Sequence, residues 1–280
     1  MTPKYSIITT CKGRLGNLKR TLPQFLKQRD SEVIVVDYDC PEGTSSYVAA
    51  AHPRARLVTV KNKPKFNLPH ARNLGVAEAQ GEILIFLDAD IVIPDDFTES
   101  LASKLTPGAF AVFGPPLRDS LRGQSVVRRI HYDGVGGFDD LLDGYGGEDL
   151  DFYMRLRLSG LRSVPLDPGS VIEVIEQTVQ ERERFRAPDL RKQFLRGQLY
   201  STAKELVMRA MGTAKLPVED RRRILDRVEA RLPALYDGTG EFRLEVEIPE
   251  RHTKRRWLRD WEFTRSVTLK VVRRRQDGGG

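Results

Sequence analysis

A chain of 280 residues that is 40% hydrophobic can bury a core without disulfides, and its two cysteines, Cys11 and Cys40, are too few for a disulfide framework and lack metal-ligand spacing. The net charge of +7 resides in residues 251–280, where ten Lys and Arg face three Asp and Glu; the first 250 residues carry 36 of each sign, so the basic excess belongs to the tail and not to the body. No apolar run approaches the ~20 residues of a membrane span and the start lacks the long apolar stretch of a signal peptide, so the expectation is a soluble cytoplasmic protein, or one bound peripherally at the inner face of a membrane.

Along the chain, Tyr5–Thr10 is β-branched and apolar and reads as a strand. Leu15, Leu18, Leu22, Phe25 and Leu26 recur at helical spacing. Glu32–Val36 has a buried-strand pattern that ends at Asp37. Thr44 or Ser45 is placed to cap a short helix through Ala51. Leu57–Val60 reads as a strand, Leu68–Ala79 as a helix stopped by Gly81, and Glu82–Leu87 as a fourth strand. This βαβα rhythm predicts an α/β fold, a mostly parallel sheet covered on both faces. Residues 107–147 are rich in Gly, Pro and Asp and show little regular structure beyond a strand at Ala109–Phe113. Glu148–Leu158 reads as a helix ending at Gly160, and Val171–Ile175 as a short strand. From Asp189 to Leu235 the pattern is helical and charged, divided at Pro217, and Phe242–Ile248 alternates like a half-exposed strand.

The sharpest local signal is Asp88-Ala89-Asp90, directly after the fourth strand. Open parallel sheets bind ligands beyond the carboxyl ends of their strands. Two carboxylates one residue apart at such an end suit a hard cation, Mg²⁺ or Mn²⁺, that bridges a diphosphate. The same triplet also reads as an ordinary acidic turn before Pro94-Asp95-Asp96. A phosphatase-type nucleophile is a third reading, but that motif usually sits on the first strand.

Several segments taken in order resemble the family 2-like glycosyltransferases of the GT-A fold. They are SIITTCKGRLGNLKRTL (Ser6 to Leu22), VIVVDYDCP (Val33 to Pro41), Ala71-Arg72-Asn73-Leu74-Gly75, the Asp88-Ala89-Asp90 triplet, Gly136-Gly137-Phe138-Asp139, and GYGGEDLDFYMRL (Gly144 to Leu156). The last looks like the galactosyltransferase and chondroitin-polymerase branch. The resemblance implies a GT-A catalytic domain over residues 1–187, with a nucleotide-binding half at about 1–105 and an acceptor half at about 106–187. A helical, basic extension over 188–280 follows.

The resemblance also implies roles. Thr10 and the loop through Arg14 would line the nucleotide pocket, and Asp37 or Asp39 would accept a hydrogen bond from the base. Arg72 would lie near the diphosphate or brace Asp88. Asp90 would bind Mn²⁺ or Mg²⁺ most directly, with Asp88 reaching the ribose or a metal-bound water. The implied reaction is an inverting transfer from a nucleoside-diphosphate sugar, UDP before other nucleotides, to an unidentified hydroxyl acceptor.

Glu148-Asp149 has a physical logic of its own, because carboxylates at a helix N-terminus are stabilised in the ionised form and can accept a proton. The resemblance points to Asp149 as the general base and to Glu148 as an acceptor ligand, with Tyr145 able to stack on a sugar. Arg182 and Arg184 fall where relatives carry a basic residue near the diphosphate.

One departure stands out. The His that often serves as third metal ligand has no counterpart in Ser170–Thr178, where Glu173, Glu176 or Gln177 is left as a substitute. A non-catalytic protein of the same fold, binding a nucleotide, glycan or anionic polymer, is therefore the competing reading. The tail's Lys254-Arg255-Arg256-Trp257, Trp261 and Arg273-Arg274-Arg275 suit a membrane surface or an acidic glycan. No recognition motif for nucleic acid accompanies them.

Overall fold

The computed structural model describes residues 2–101, 104–114, 121, 123–144, 146–176, 178, 180, 184–185, 189–236, 242–248 and 265–271. The chain forms two compact units, Met1–Leu190 and Arg191–Gly280.

In the first unit the expected alternation is present as β1 (Tyr5–Cys11), α1 (Leu15–Leu26), β2 (Ser31–Tyr38), α2 (Thr44–Ala51), β3 (Arg56–Val60), α3 (Leu68–Glu78) and β4 (Ile83–Phe86). Then follow β5 (Ile91–Val92), α4 (Phe97–Leu101), β6 (Ala109–Phe113), β7 (Ser125–Arg128), α5 (Arg129–Val135), α6 (Glu148–Leu158), β8 (Arg162–Leu166) and β9 (Glu173–Val174). Seven strands make one sheet in the order β3-β2-β1-β4-β7-β6-β8. It is mostly parallel: β1 to β4 run together, β6 runs with β8, and only β7 is antiparallel to its neighbours.

Both faces of the sheet centre are covered, which is why β1 and β2 read as almost continuous apolar runs. On one face α1 sets Leu18, Leu22 and Phe25 into a core with Ile7, Val33 and Val35. Strand alternation sends Ile8 to the other face, beneath α3. There Gly75 is required by close approach, since a Cβ on it would stand 2.5 Å from Ile8 Cγ2 and 3.1 Å from Val36 Cγ2. Asn67 caps α3 by accepting from His70 N–H at 3.0 Å.

Four features depart from the sequence reading. Neither Thr44 nor Ser45 caps α2: Gly43 holds the cap position, Thr44 Oγ1 donates to Cys11 Sγ, and Ser45 gives its hydroxyl to Asp37. Strand β7 and helix α5 lie within the stretch read as weakly structured. β7 is only four residues long, and its conformation comes from pairing with β4 and β6, a non-local cause that local pattern does not carry. β8 contains Pro165 and is the last strand of the sheet, where a missing N–H is tolerated. β9 covers only Glu173–Val174 of the expected Val171–Ile175.

The Gly136-Gly137-Phe138 turn is locked from two sides. Asn73 of α3 accepts from Phe138 N–H (3.0 Å) and Tyr132 O–H (2.6 Å) and donates to Phe138 O (3.0 Å). Arg155 of α6, fully buried with Asp151 (2.9 Å), donates to Val135 O and Gly137 O at 2.8 and 2.6 Å. The turn thereby delivers Phe138 into an aromatic cluster, 5.0 Å from Phe86 and 4.3 Å from Phe152 between ring centres.

The second unit holds α7 (Leu190–Met211), α8 (Val218–Glu229), α9 (Leu232–Tyr236) and an antiparallel pair, β10 (Phe242–Ile248) with β11 (Arg265–Val271). Pro217 divides α7 from α8 as expected, and buried Leu244, Val246 and Ile248 alternate with exposed Arg243, Glu245 and Glu247. β11 was not anticipated. Among the described residues no helix is long and apolar enough to cross a membrane. The basic clusters Lys254–Trp261 and Arg273–Arg275 lie outside the described residues.

Replacing Asn73 by Ala removes three hydrogen bonds from the turn and leaves partners unsatisfied, so a loss of about 2–3 kcal/mol is expected. Urea denaturation of the Asn73→Ala protein checks this; an unchanged midpoint would show that the turn does not need α3.

Candidate active site

The acidic triplet sits beyond β4, where the sheet's carboxyl ends open. Its backbone is fixed at every residue by a different element. Asp88 N–H donates to Gln124 Oε1 (2.8 Å), Ala89 O accepts from Thr21 Oγ1 of α1 (3.0 Å), and Asp90 O accepts from Ile175 N–H at the end of β9 (2.8 Å).

The Asp88 side chain is clamped as well. Oδ1 accepts from Arg72 Nη2 at 3.0 Å and Oδ2 from Gln124 Nε2 at 2.9 Å. Burial works to raise the Asp88 carboxyl, but the Arg72 and Arg14 guanidiniums and the Gln124 amide outweigh it and hold it below the usual carboxylate range. Arg72 is itself 2% exposed, with its guanidinium 5.2 Å from the Phe138 ring centre and 5.9 Å from that of Phe86. Its Nη1 has no hydrogen-bond partner among the described residues. Arg14, from the loop after β1, reaches Asp90 Oδ2 at 3.2 Å.

Glu148 and Asp149 open α6 behind Gly147, whose φ of 95° lets the chain turn into the helix. Asp149 Oδ1 accepts from Leu150 N–H at 2.8 Å. Its Oδ2 faces Gly123: a Cβ there would lie 4.0 Å from Asp149 Oδ2, 3.6 Å from Arg72 Nη2 and 3.9 Å from Arg72 Nη1. The carboxylate that opens α6 and the guanidinium that holds Asp88 therefore meet at one glycine. Tyr153, one turn along α6, ties them further by donating to Gln124 O at 3.3 Å. Burial, then the nearby Asp149 charge, pushes the Tyr153 phenol up, so it stays a neutral donor.

The loops after β1 and β2 carry the remaining candidates. Thr10 is buried at the end of β1, opposite Val36. Asp37 is committed to local structure, accepting from Cys40 N–H and Ser45 N–H, both at 2.8 Å, and from the Ser45 hydroxyl. Asp39 is more open, with a side chain 38% exposed that accepts from Lys63 N–H at 2.9 Å. Lys12, buried, donates to the carbonyls of Tyr38, Asp39 and Lys63 at 3.1, 2.8 and 2.8 Å.

Phe185 leans on this corner. Its carbonyl accepts from Phe66 N–H at 3.0 Å, and its ring fills the space where a Cβ of Gly13 would lie, 1.9 Å from Cε2. Arg184 pairs with Glu42 at 3.6 Å, and Glu42 also accepts from Leu15 N–H at 2.8 Å, the first N–H of α1. Arg182, Tyr145 and Gln177 lie outside the described residues. Glu173 is turned to Arg20 (2.7 Å).

Gln124, Tyr153, Lys12 and Phe185 are the functional neighbours that the sequence reading missed. Lys12 and Tyr153 lie within the segments Ser6–Leu22 and Gly144–Leu156 but were given no role, Gln124 and Phe185 lie in none of them, and each gains its role through contacts with residues far away in the chain. Among the described residues no three His, Cys, Asp or Glu side chains group as a metal site. Two adjacent carboxylates nevertheless match the donor set of a Mg²⁺- or Mn²⁺-type cation that takes its other ligands from phosphate and water.

Comparison with known proteins identifies the family and the fold. The sequence profile described as glycosyl transferase family 2 matches residues 6–157. Among curated proteins, the chain is 28% identical over 166 residues to the uncharacterised protein y4gI of Sinorhizobium fredii, covering 56% of this chain and 18% of that protein. It is 25% identical over 156 residues to chondroitin sulfate synthase 3 of Homo sapiens, covering 44% and 17%. The matched part is thus under a fifth of either relative's length. Among solved structures, residues 1–349 of S. aureus TarS in complex with UDP-GlcNAc align with a TM-score of 0.56 at 17% identity, covering 83% of this chain and 73% of that one. The mannosyltransferase PcManGT of Pyrobaculum calidifontis, in complex with GDP-Man and Mn²⁺, aligns with a TM-score of 0.52 at 20% identity, covering 83% and 70%.

The Arg72–Asp88 pair offers a test that needs no ligand. Arg72→Leu strands a carboxylate and should cost about 3–5 kcal/mol, while adding Asp88→Asn should recover part of that loss, since breaking a buried pair costs more than removing both charges. Urea midpoints of the two single variants and the double variant measure the coupling; simple additivity would show the contact to be idle.

Proposed function

Because the chain belongs to glycosyl transferase family 2 and has the GT-A fold, we propose that its first unit transfers a sugar, with inversion, from a nucleoside-diphosphate sugar to a hydroxyl acceptor. One observation carries the reading: Asp149 Oδ2 and the Arg72 that grips Asp88 converge on Gly123. An inverting displacement needs a proton acceptor on the incoming side and positive charge on the leaving side, and this geometry brings both to one glycine.

In this reading Asp149 is the general base. It stands at the start of α6, its Oδ1 held by Leu150 N–H, and it takes the acceptor hydroxyl's proton as that oxygen attacks the anomeric carbon. General-base assistance of this kind is worth roughly 10²–10⁴ in rate. Glu148 binds the acceptor, and Tyr145 stacks on it. Asp90, with Asp88, holds Mn²⁺ or Mg²⁺, which when bound supplies charge compensation for the departing diphosphate. Arg72 Nη1 is directed to the same phosphates, as a buried donor without a partner among the described residues. Arg14 joins it there, with Arg182 or Arg184 as further contacts.

Of the strand-end acids, Asp39 reads the base, because Asp37 is spent on Cys40 and Ser45. Thr10 lines the same pocket. TarS bound to UDP-GlcNAc supports a UDP-sugar, and the chondroitin sulfate synthase 3 relative supports the branch suggested by Gly144–Leu156. The basic segment 251–280 suits a lipid-linked or acidic glycan acceptor. The lack of a third grouped ligand among the described residues favours a second reading, a binding protein without turnover.

Calorimetry with UDP, with and without Mn²⁺, together with a donor-hydrolysis and transfer assay over a panel of nucleotide sugars, separates the two. Asp90→Ala is expected to abolish the metal-dependent part of nucleotide binding. Asp149→Asn should leave nucleotide affinity within about twofold and lower transfer by 10² or more, the scale of a lost general base. Normal transfer by Asp149→Asn would remove the base assignment, and metal-dependent binding without any turnover would favour the binding protein.

A further inference from the structure

The two carboxylates of the acidic triplet are held by arginines of opposite character. Asp88 is paired with Arg72, which is 2% exposed, seated against the Phe138 and Phe86 rings and rooted in α3. Asp90 is paired with Arg14, whose side chain is 25% exposed and stands just ahead of α1. The Arg14 contact is a single one, Nη1 to Asp90 Oδ2 at 3.2 Å. Charge-assisted N–H···O bonds ordinarily close to about 2.7–2.9 Å, and arginine favours a two-pronged grip on a carboxylate. Neither holds for Arg14, so this pair is the looser of the two.

The backbone around Arg14 is firm. Lys12 fastens the loop to the carbonyls of Tyr38, Asp39 and Lys63. Gly13 N–H donates to Cys40 Sγ at 3.1 Å, and its φ of 67° turns the chain beneath the Phe185 ring. Leu15 N–H is held by Glu42 at 2.8 Å. Asp90 is fixed in the same way, its carbonyl accepting from Ile175 N–H at 2.8 Å. The movable part is therefore the Arg14 side chain, on a rooted base, and its partner is the oxygen that the proposed metal site requires.

We infer that Arg14 is an exchange residue: its guanidinium neutralises Asp90 until a diphosphate arrives, then leaves the carboxylate for the phosphates and yields Asp90 Oδ2 to the cation. This rests on the function proposed above, in which Asp90 is a metal ligand. A guanidinium and a divalent cation compete for that oxygen, because both need its lone pairs and their like charges repel. Cation binding alone must push Arg14 away from its counter-charge, whereas a diphosphate offers the guanidinium several anionic oxygens in return. The consequence is positive coupling: nucleotide strengthens cation binding and, by linkage, the cation strengthens nucleotide binding by the same factor. Arg14 acts here as a positioning residue, not as a catalytic one.

The test reads Mn²⁺ binding to the full chain by electron paramagnetic resonance, with and without saturating UDP, and UDP binding by calorimetry. The unmodified protein should bind Mn²⁺ about tenfold or more tighter with UDP than without it. Arg14→Gln should bind Mn²⁺ alone roughly fivefold tighter than the unmodified protein, and the coupling should shrink by the same factor. Its UDP affinity should fall to match when Mn²⁺ is present and change little without Mn²⁺. Arg14→Met, a second uncharged side chain of similar length, should behave like Arg14→Gln, and Arg14→Lys, which keeps the charge, should stay near the unmodified protein. Uncharged variants that are folded by circular dichroism, yet bind Mn²⁺ no tighter, would overturn the exchange and leave the metal site standing. So would an equal gain in Arg14→Lys and Arg14→Gln. Failure of the unmodified protein to bind Mn²⁺, with UDP or without it, would remove the metal reading and the exchange with it.

Discussion

A guanidinium with 2% of its surface exposed has given up its water, and the first unit is arranged around Arg72 so that this loss is made good. Asp88 supplies the opposite charge at 3.0 Å, and the faces of Phe138 and Phe86 supply a favourable quadrupole at 5.2 and 5.9 Å. Each partner depends on a separate feature of the fold. Gly75 seats α3 closely enough on the sheet for Arg72 to reach the end of β4. Asn73 and Arg155 hold the turn that delivers Phe138. The acidic triplet cannot drift, because Thr21, Gln124 and Ile175 each hold one of its backbone groups.

The same arrangement links the two acidic clusters. Asp149 and Tyr153 are four residues apart and so share a side of α6. Asp149 faces Gly123 beside Arg72, while Tyr153 bonds the carbonyl of Gln124, whose amide holds Asp88. A displacement of α6 would therefore be felt at both acidic clusters. Charge is distributed to match: the Asp88 carboxyl is held below its ordinary range and the Tyr153 phenol above its own, so acid and donor keep their forms across neutral pH.

Much of this was legible in the sequence because it was local. The βαβα alternation, the buried runs of β1 and β2 and the acidic triplet after β4 each lie within a few residues, and hydrophobic period exposes them. Glu148-Asp149 was visible because helix starts favour acids. What stayed hidden depends on contacts between distant segments. β7 is ordered by pairing with β4, and Gln124 matters only because Asp88 lies beside it. Nothing in VVDYDCP tells Asp37, bound by Cys40 and Ser45, from Asp39, which is left open.

Lys12 carries a last implication. Its ammonium spends its three protons on main-chain oxygens, those of Tyr38, Asp39 and Lys63, with the Asp39 carboxylate farther off at 3.9 Å. Peptide carbonyls survive any substitution, so this part of the loops' support does not depend on which side chains line them. Side chains there are free to vary while the scaffold beneath keeps its shape, which leaves a route by which related chains can change what they recognise without rebuilding how they fold.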